Sequence, residues 1–389
     1  MSKVLVNETS LSGIANSIRA KNGTATTYKP SEMAAAIDAI QTGSDIPEEA
    51  FAISGDCSYR FARGGWDWFI EQYGDRITTD GITDAMNMFG NSKIELIPFE
   101  INFNTKSAYH STNNMFYYCS NLKEVQKIKN LKVYNTSYFF YYCYDLRNIP
   151  EGFASTWDWS YLESQTGSYT GYQNQMFNYC SSLRIIPMDL IRSGNPNLNY
   201  GYSYFNSGFC NCYVLDELTN LPIPYTKATW TGNAFGNTFD NCNRLKNITF
   251  ALQDDGTPYT VSWKNQTIDL SKYVGYTNSP YNILNHNSGI TSDKAVNSDE
   301  SYQALKNDPD WYAVGDVYGL PYSRYNHDSA VATINSLPDT SAYLATAGGT
   351  NMIKFKGEAG SATDGGAISS LTPEEIAVAA AKGWTVALA

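Results

Sequence analysis

The sequence has few histidines. Three of them, His110, His286 and His327, in 389 residues leave little material for metal ligation or for general-base chemistry near neutral pH. Positive charge is scarce as well. Lys and Arg number 27 against 38 Asp and Glu, a net of −11, and a chain of that sign is a poor partner for a phosphate backbone, so no nucleic-acid role is expected. No apolar run reaches the ~18 residues of a spanning helix, so no membrane insertion is expected. The start turns polar at Asn7 without an apolar stretch, and no secretory signal is read. Seven cysteines, an odd number, in a chain expected to be made in the cytosol then read as thiols rather than as a disulfide framework. Catalytic motifs are missing too. There is no Gly-x-Ser-x-Gly elbow, no His-Glu-x-x-His and no paired Cys-x-x-Cys, and the glycine-rich residues 361–366 lack the Lys-Ser/Thr of a phosphate cradle. His327 beside Asp328 is read as a pair at a helix N-terminus, not a dyad. Zinc at Cys210-x-Cys212 finds no second pair with ligand spacing. The expectation is a protein that is not an enzyme and holds no cofactor and no metal. Two carboxylates converging in space to make a glycosidase stay open at this point.

Tyrosine is what the chain has in excess: 30, with 17 Phe and 8 Trp, and seventeen of the tyrosines fall between residues 101 and 230. The length exceeds what one core of at most ~300 residues holds, so the chain should grow by repetition or split into domains. Apolar positions 11, 14, 15 and 18, and again Met33, Ala36, Ile37 and Ile40, have helical spacing. Asn22-Gly23 stops the first helix and Thr42-Gly43 the second. Two helices this short need something to pack on. At the other end, residues 299–306 and 327–337 read as helices. Residues 351–357 and 384–388 read as strands. Thr372-Pro373-Glu374-Glu375 opens a well-capped helix that stops at Gly383. Asp254-Asp255-Gly256 reads as a hairpin turn. Residues 44–83 show no repeat, and Trp66 to Ile70 form a dense apolar patch.

The N-terminal string LVNETSLSGIANSIRAKNGTATTYKPSEMAAAIDAIQTG resembles the short leader of tail and tail-fibre proteins of phages and prophages of Gram-positive hosts. The resemblance implies a segment, residues 1–43, that attaches to tail or baseplate proteins.

From residue 84 a repeat appears, with the template Phe-x-x-Cys-x-x-Leu-x-x-Ile. It starts at Phe116, Phe140, Phe177, Phe209 and Phe239 and places Cys119, Cys143, Cys180, Cys212 and Cys242 at one position. A weaker copy surrounds Phe89. No single unit of this size can bury its own apolar face, so neighbours must stack. Each unit should contribute one short strand around Leu-x-x-Ile to a parallel sheet. The Phe should fill the interior, and the Cys should sit as a small buried thiol at a turn. The intervals of 37 and 32 residues before Phe177 and Phe209 exceed the 24 between Phe116 and Phe140. The extra chain should therefore bulge from the surface.

These units resemble the bacterial surface protein A-like leucine-rich repeats, most fully from Met115 to Leu122 and from Met176 to Pro187. The fold this implies is an α/β or mainly β solenoid, with a right-handed parallel sheet and irregular backs. Its expected parts are a helical attachment segment 1–43, a linker and opening cap 44–83, the solenoid 84–275, and C-terminal helix–strand repeats with a cap, 276–389. The function implied by the two resemblances is a virion tail protein, a tail fibre or receptor-binding protein, that recognises a host surface glycan or protein and assembles as a homo-oligomer such as a trimer. A bacterial surface adhesin and a capsule-degrading tail enzyme are the alternatives. Tyr, Ser, Gly and Asn in the long intervals form the composition of contact surfaces. Trp157, Trp159, Tyr161, Tyr169, Tyr172, Tyr200, Tyr202 and Tyr204 are accordingly the candidate receptor contacts, with packing between repeats as the competing reading for the tyrosines.

Overall fold

The repeat phenylalanines form one column. Phe89, Phe116, Phe140, Phe177, Phe209 and Phe239 are all buried, and successive ring centroids lie 5.3, 5.2, 5.9, 6.1 and 6.1 Å apart with interplanar angles between 8° and 21°. The computed structural model that shows this describes residues 12, 15, 16, 46–107, 109–161, 174–191, 207–213, 215–223, 233, 235–242, 245–272, 325–357 and 367–389. The chain divides into two compact units, Met1–Ala52 and Ile53–Ala389. In the first, Ser12, Ala15 and Asn16 are helical. The rest of the two expected N-terminal helices, like the helix expected over 299–306, lies outside the described residues.

The column begins one copy earlier than the sequence suggests. Phe61 stacks on Phe89 at 5.4 Å and 21°. It escapes the template because Gly64 and Asp67 stand where Cys and Leu would be. The Asp67 carboxylate instead accepts from the Ser92 hydroxyl at 2.6 Å and the Lys93 N–H at 2.9 Å, which ties this copy to the next.

A backbone alternation sets the column. In every copy the residues two before and two after the phenylalanine have positive φ: Tyr59 and Arg63, Asn87 and Asn91, Asn114 and Tyr118, Tyr138 and Tyr142, Gln175 and Tyr179, Ser207 and Asn211, Asn237 and Asn241. Left-handed residues at this spacing turn successive N–H groups in opposite directions. Around Phe116, the N–H groups of Met115, Tyr117 and Cys119 close turns onto the carbonyls of Thr112, Asn114 and Phe116. Those of Asn114, Phe116 and Tyr118 reach the carbonyls of Ser137, Phe139 and Tyr141 in the following copy. Every donor in the turn finds a partner, as buried backbone requires. Asparagine tolerates this conformation better than most residues, whereas tyrosine there costs about 1–2 kcal/mol, which the stacking described below offsets.

The cysteines complete the turn. Each Sγ donates to the carbonyl of the phenylalanine one copy back: Cys119 to Phe89 (3.0 Å), Cys143 to Phe116 (3.0 Å), Cys180 to Phe140 (3.1 Å), Cys212 to Phe177 (3.0 Å) and Cys242 to Phe209 (3.1 Å). All five are buried free thiols, as their place in the template predicts, and burial pushes each thiol well above its ordinary range.

Strand pairing is more divided than one strand per unit. On the opening side β1 (Ala52–Asp56) pairs with β2 (Thr78–Asp84). Then β3 (Ile101–Asn102) pairs in parallel with β5 (Ile128–Lys129), and β4 (His110–Ser111) with β6 (Val133–Asn135). The expected Leu-x-x-Ile row appears as single parallel bridges, Leu96 to Glu124 and Glu124 to Asn148. It becomes a full pair only between β7 (Glu217–Leu221) and β8 (Asn247–Phe250). Before Phe177 the chain turns often enough that each side of a unit pairs over only one to three residues.

Toward the C-terminus β9 (Thr267–Leu270), β10 (Asn351–Phe355) and β11 (Trp384–Leu388) form a three-stranded parallel sheet in the order β11-β10-β9. Helix α1 (Asp67–Tyr73) belongs to the opening side. Helices α2 (His327–Ser336), α3 (Ser341–Ala347) and α4 (Pro373–Ala381) belong to the C-terminal end. The caps are as the sequence predicts for α4. Thr372 accepts from the Glu375 N–H, and the Glu375 carboxylate accepts from the Thr372 N–H. Helix α2 is tied to β8 by the Thr333 hydroxyl, which donates to the Ile248 carbonyl at 2.6 Å, and by Ser336, whose hydroxyl accepts from the Phe250 N–H at 3.0 Å. The hairpin turn at Asp254–Gly256 forms, with Leu252 and Pro258 bridged antiparallel. Among the described residues no helix is long and apolar enough to cross a membrane.

Candidate functional site

The turn edge carries its side chains in register, because identical backbone geometry repeats from copy to copy. One position after the phenylalanine, Tyr117 and Tyr141 stack at 5.4 Å and 5°. Two positions after, Tyr118 meets Tyr142 at 4.3 Å and 32°, and Tyr142 meets Tyr179 at 4.5 Å and 16°. Tyr144 closes edge-on against Tyr142 at 5.4 Å. Tyr118 is 38% exposed and Tyr117, Tyr141, Tyr142 and Tyr144 are half-buried. The result is a ladder of partly exposed rings, each held by its neighbours. Burial first, then neighbouring phenols, raise the pKa values of Tyr117, Tyr118, Tyr141 and Tyr144. The face is therefore uncharged at neutral pH and its hydroxyls remain donors.

Beyond Tyr179 the same edge turns to amides. Asn211 Nδ2 donates to Asn178 Oδ1 at 3.3 Å, and Asn241 Nδ2 donates to Asn211 Oδ1 at 2.8 Å. Toward the opening side the edge is also amide-bearing, and it borders a groove of about 500 Å³ lined by Tyr59, Arg63, Asn87, Asn91, Asn114, Tyr117, Tyr138 and Tyr141.

A second aromatic group sits on the β4–β6 side. Tyr109, Tyr134 and Tyr161 form a triangle with centroids 4.8, 4.7 and 5.9 Å apart, and Tyr109 is 44% exposed. Tyr161 is thus the one candidate from the sequence that the structure places in an exposed aromatic cluster.

Trp157 and Trp159 do not bulge outward. They are 6% and 5% exposed. Asp158 pairs in parallel with Lys132, its N–H bonded to the Leu131 carbonyl and its carbonyl to the Val133 N–H at 2.8 Å. Residues 157–159 therefore continue the β4–β6 row, and alternation along a strand points both tryptophans inward. Trp157 Nε1 donates to the Ile128 carbonyl at 2.9 Å. Counting surplus residues between phenylalanines treats this rung as insertion when it is framework. Tyr169, Tyr172, Tyr200, Tyr202 and Tyr204 lie outside the described residues. The tyrosine ladder itself is not among the sequence candidates. Its signal was present in the doublets Tyr117-Tyr118 and Tyr141-Tyr142 at one template position.

Two histidines occupy defined positions. His110 is fully buried. Its Nδ1 accepts from the Lys132 N–H at 2.9 Å, so Nε2 carries the proton and donates to the Asn104 carbonyl at 3.0 Å. His327 opens α2, with Nε2 3.0 Å from the Glu375 carboxylate and Nδ1 3.3 Å from that of Asp328. Among the described residues no three His, Cys, Asp or Glu side chains gather as a cation site. Cys210, beside Cys212, is partly buried, and burial pushes its thiol up to about 12. No protein-family model, no curated protein and no solved structure matches this chain.

Proposed function

We propose that this protein is a non-catalytic receptor-recognising component of a phage or phage-derived tail, a tail fibre or receptor-binding protein. In this reading the stacked copies are a leucine-rich-repeat solenoid, residues 1–43 join tail or baseplate proteins, and the turn edge meets the host surface. The observation that carries the binding role is the ladder of Tyr118, Tyr142 and Tyr179, flanked by Tyr117, Tyr141 and Tyr144. Rings fixed by their neighbours lose little freedom on contact, and tyrosine concentrates interface energy. The tail assignment is supported by the leader resemblance and by the acidic, aromatic-rich composition.

A host-cell binding assay on Tyr118→Ala, Tyr142→Ala and Tyr179→Ala tests it, with folding followed by thermal melt. Loss of a true anchor should weaken binding by about 2 kcal/mol, roughly thirtyfold. Folded variants that all bind like the parent would move recognition away from the ladder.

A further inference from the structure

The groove between the first four turns differs from the rest of the turn edge in one respect. Further along the edge, Tyr118, Tyr142 and Tyr179 meet ring on ring and Asn178, Asn211 and Asn241 bond amide on amide. Here the amides of Asn87, Asn91 and Asn114 make no hydrogen bond to the described residues, and the Arg63 guanidinium, exposed, makes no ion pair with them. Three amides offer six donor hydrogens and three acceptor oxygens. Tyr59 bounds them on one side and the stacked Tyr117 and Tyr141 on the other. The turns pair like neighbouring strands, about 4.8 Å apart, so four of them span ~14 Å.

Tyrosine rings at both ends, neutral donors and acceptors between, and one cation describe a specific ligand. We infer that this groove binds a short acidic saccharide: a chain of sugar rings whose C–H faces lie on the tyrosines, whose hydroxyls exchange hydrogen bonds with the asparagines, and whose carboxylate or phosphate meets Arg63. Arg63 is the single charged residue lining the groove in a chain of net charge −11. A neutral sugar would leave its charge uncompensated, whereas a carboxylate or phosphate pairs with it. The inference rests on the proposed receptor-binding role only for the origin of the saccharide. Binding of purified saccharides tests the groove alone.

The two key positions allow clean variants. Arg63 and Asn91 have φ of 65° and 62°, where glycine is at ease. Arg63→Gly and Asn91→Gly therefore delete the functional group without straining the turn. The full chain and both variants are titrated calorimetrically with oligouronates, phosphorylated oligohexoses and neutral oligohexoses of two to four rings. One acidic series should bind saturably and about tenfold more tightly than the neutral one, and the better of the two identifies carboxylate or phosphate. Arg63→Gly should abolish that preference, and Asn91→Gly should weaken acidic and neutral series alike by several-fold. Absence of saturable binding in all three series, equal binding of acidic and neutral series by the parent, or an unchanged preference in Arg63→Gly would each overturn the assignment. Saccharide binding by a protein whose ladder variants still bind cells like the parent would keep the groove and reject the ladder as the cell contact.

Discussion

A single thiol in this protein has two duties. It fills a position too small for a branched side chain, and it gives the phenylalanine carbonyl of the previous copy a partner. Because burial holds the five ladder thiols neutral, their reaction with a thiol reagent requires opening of the turn. Mass spectrometry after native labelling should find Cys119, Cys143, Cys180, Cys212 and Cys242 unmodified, with full labelling in denaturant. Fast native labelling would contradict their burial. Two histidines give the pH dependence opposite signs. Burial, outweighing its bond to Asn104, lowers the His110 pKa. A second proton would have to sit on Nδ1, against the Lys132 N–H. The folded state thus binds fewer protons than the unfolded one, and stability falls as pH drops below ~6.5 toward the depressed value. Burial also opposes charging of His327, but the bonds to Glu375 and Asp328 prevail and raise its pKa. Its contribution is present below ~6.5 and fades as pH rises through the raised value. Melting temperatures between pH 5 and 8 should therefore fall more steeply on acidification in His327→Gln than in the parent, and less steeply in His110→Gln. Parallel curves for all three proteins would contradict both assignments.

At the scale of the element, the turn is the unit that sequence and structure share. The Phe-x-x-Cys-x-x-Leu spacing is legible because its members face inward and each needs one size and polarity. The parts that are not legible follow from what spacing cannot encode. Left-handed geometry at the residues flanking Phe140 falls on two tyrosines, Tyr138 and Tyr142, and nothing in their side chains announces it. The ring ladder depends on that geometry, so the sequence points to the long intervals for contacts, whereas the ladder proposed as the contact surface lies at the turn positions. Trp157 and Trp159 are misplaced for a related reason: a rung of the β4–β6 row has no marker beyond alternation over three residues. Phe61 is missed because its copy exchanges Cys and Leu for Gly64 and Asp67. Two substitutions probe the turn. Phe140→Ala removes a ring stacked on both sides and should cost about 3–5 kcal/mol, read from the denaturant midpoint. Tyr142→Val loses the stacking and places a β-branched residue at φ 62°, so it should destabilise more than Tyr142→Gly, which also loses the stacking but relieves about 1–2 kcal/mol of backbone cost. If Val were tolerated better than Gly, the left-handed assignment would be wrong.

For the whole molecule, if residues 1–43 are the proposed attachment segment, their removal should separate attachment from recognition. The truncated chain should keep the melting behaviour of the repeats and still bind its receptor, yet fail to enter particles. Incorporation of the truncated chain would show that the leader is not the anchor.

The stacking distances carry one more consequence. Phe140 to Phe177 spans 37 residues and Phe116 to Phe140 only 24, yet the ring separations are 5.9 and 5.2 Å, and a 30-residue interval gives 6.1 Å. Contact between copies is thus indifferent to how much chain separates them. Inheritance can act on the two independently: mutation and insertion can rewrite the intervening segments in every generation while selection preserves the handful of positions that dock one turn on the next. A lineage facing a changing adversary would keep its architecture and renew its vocabulary, and related chains should differ most in the length and wording of those segments.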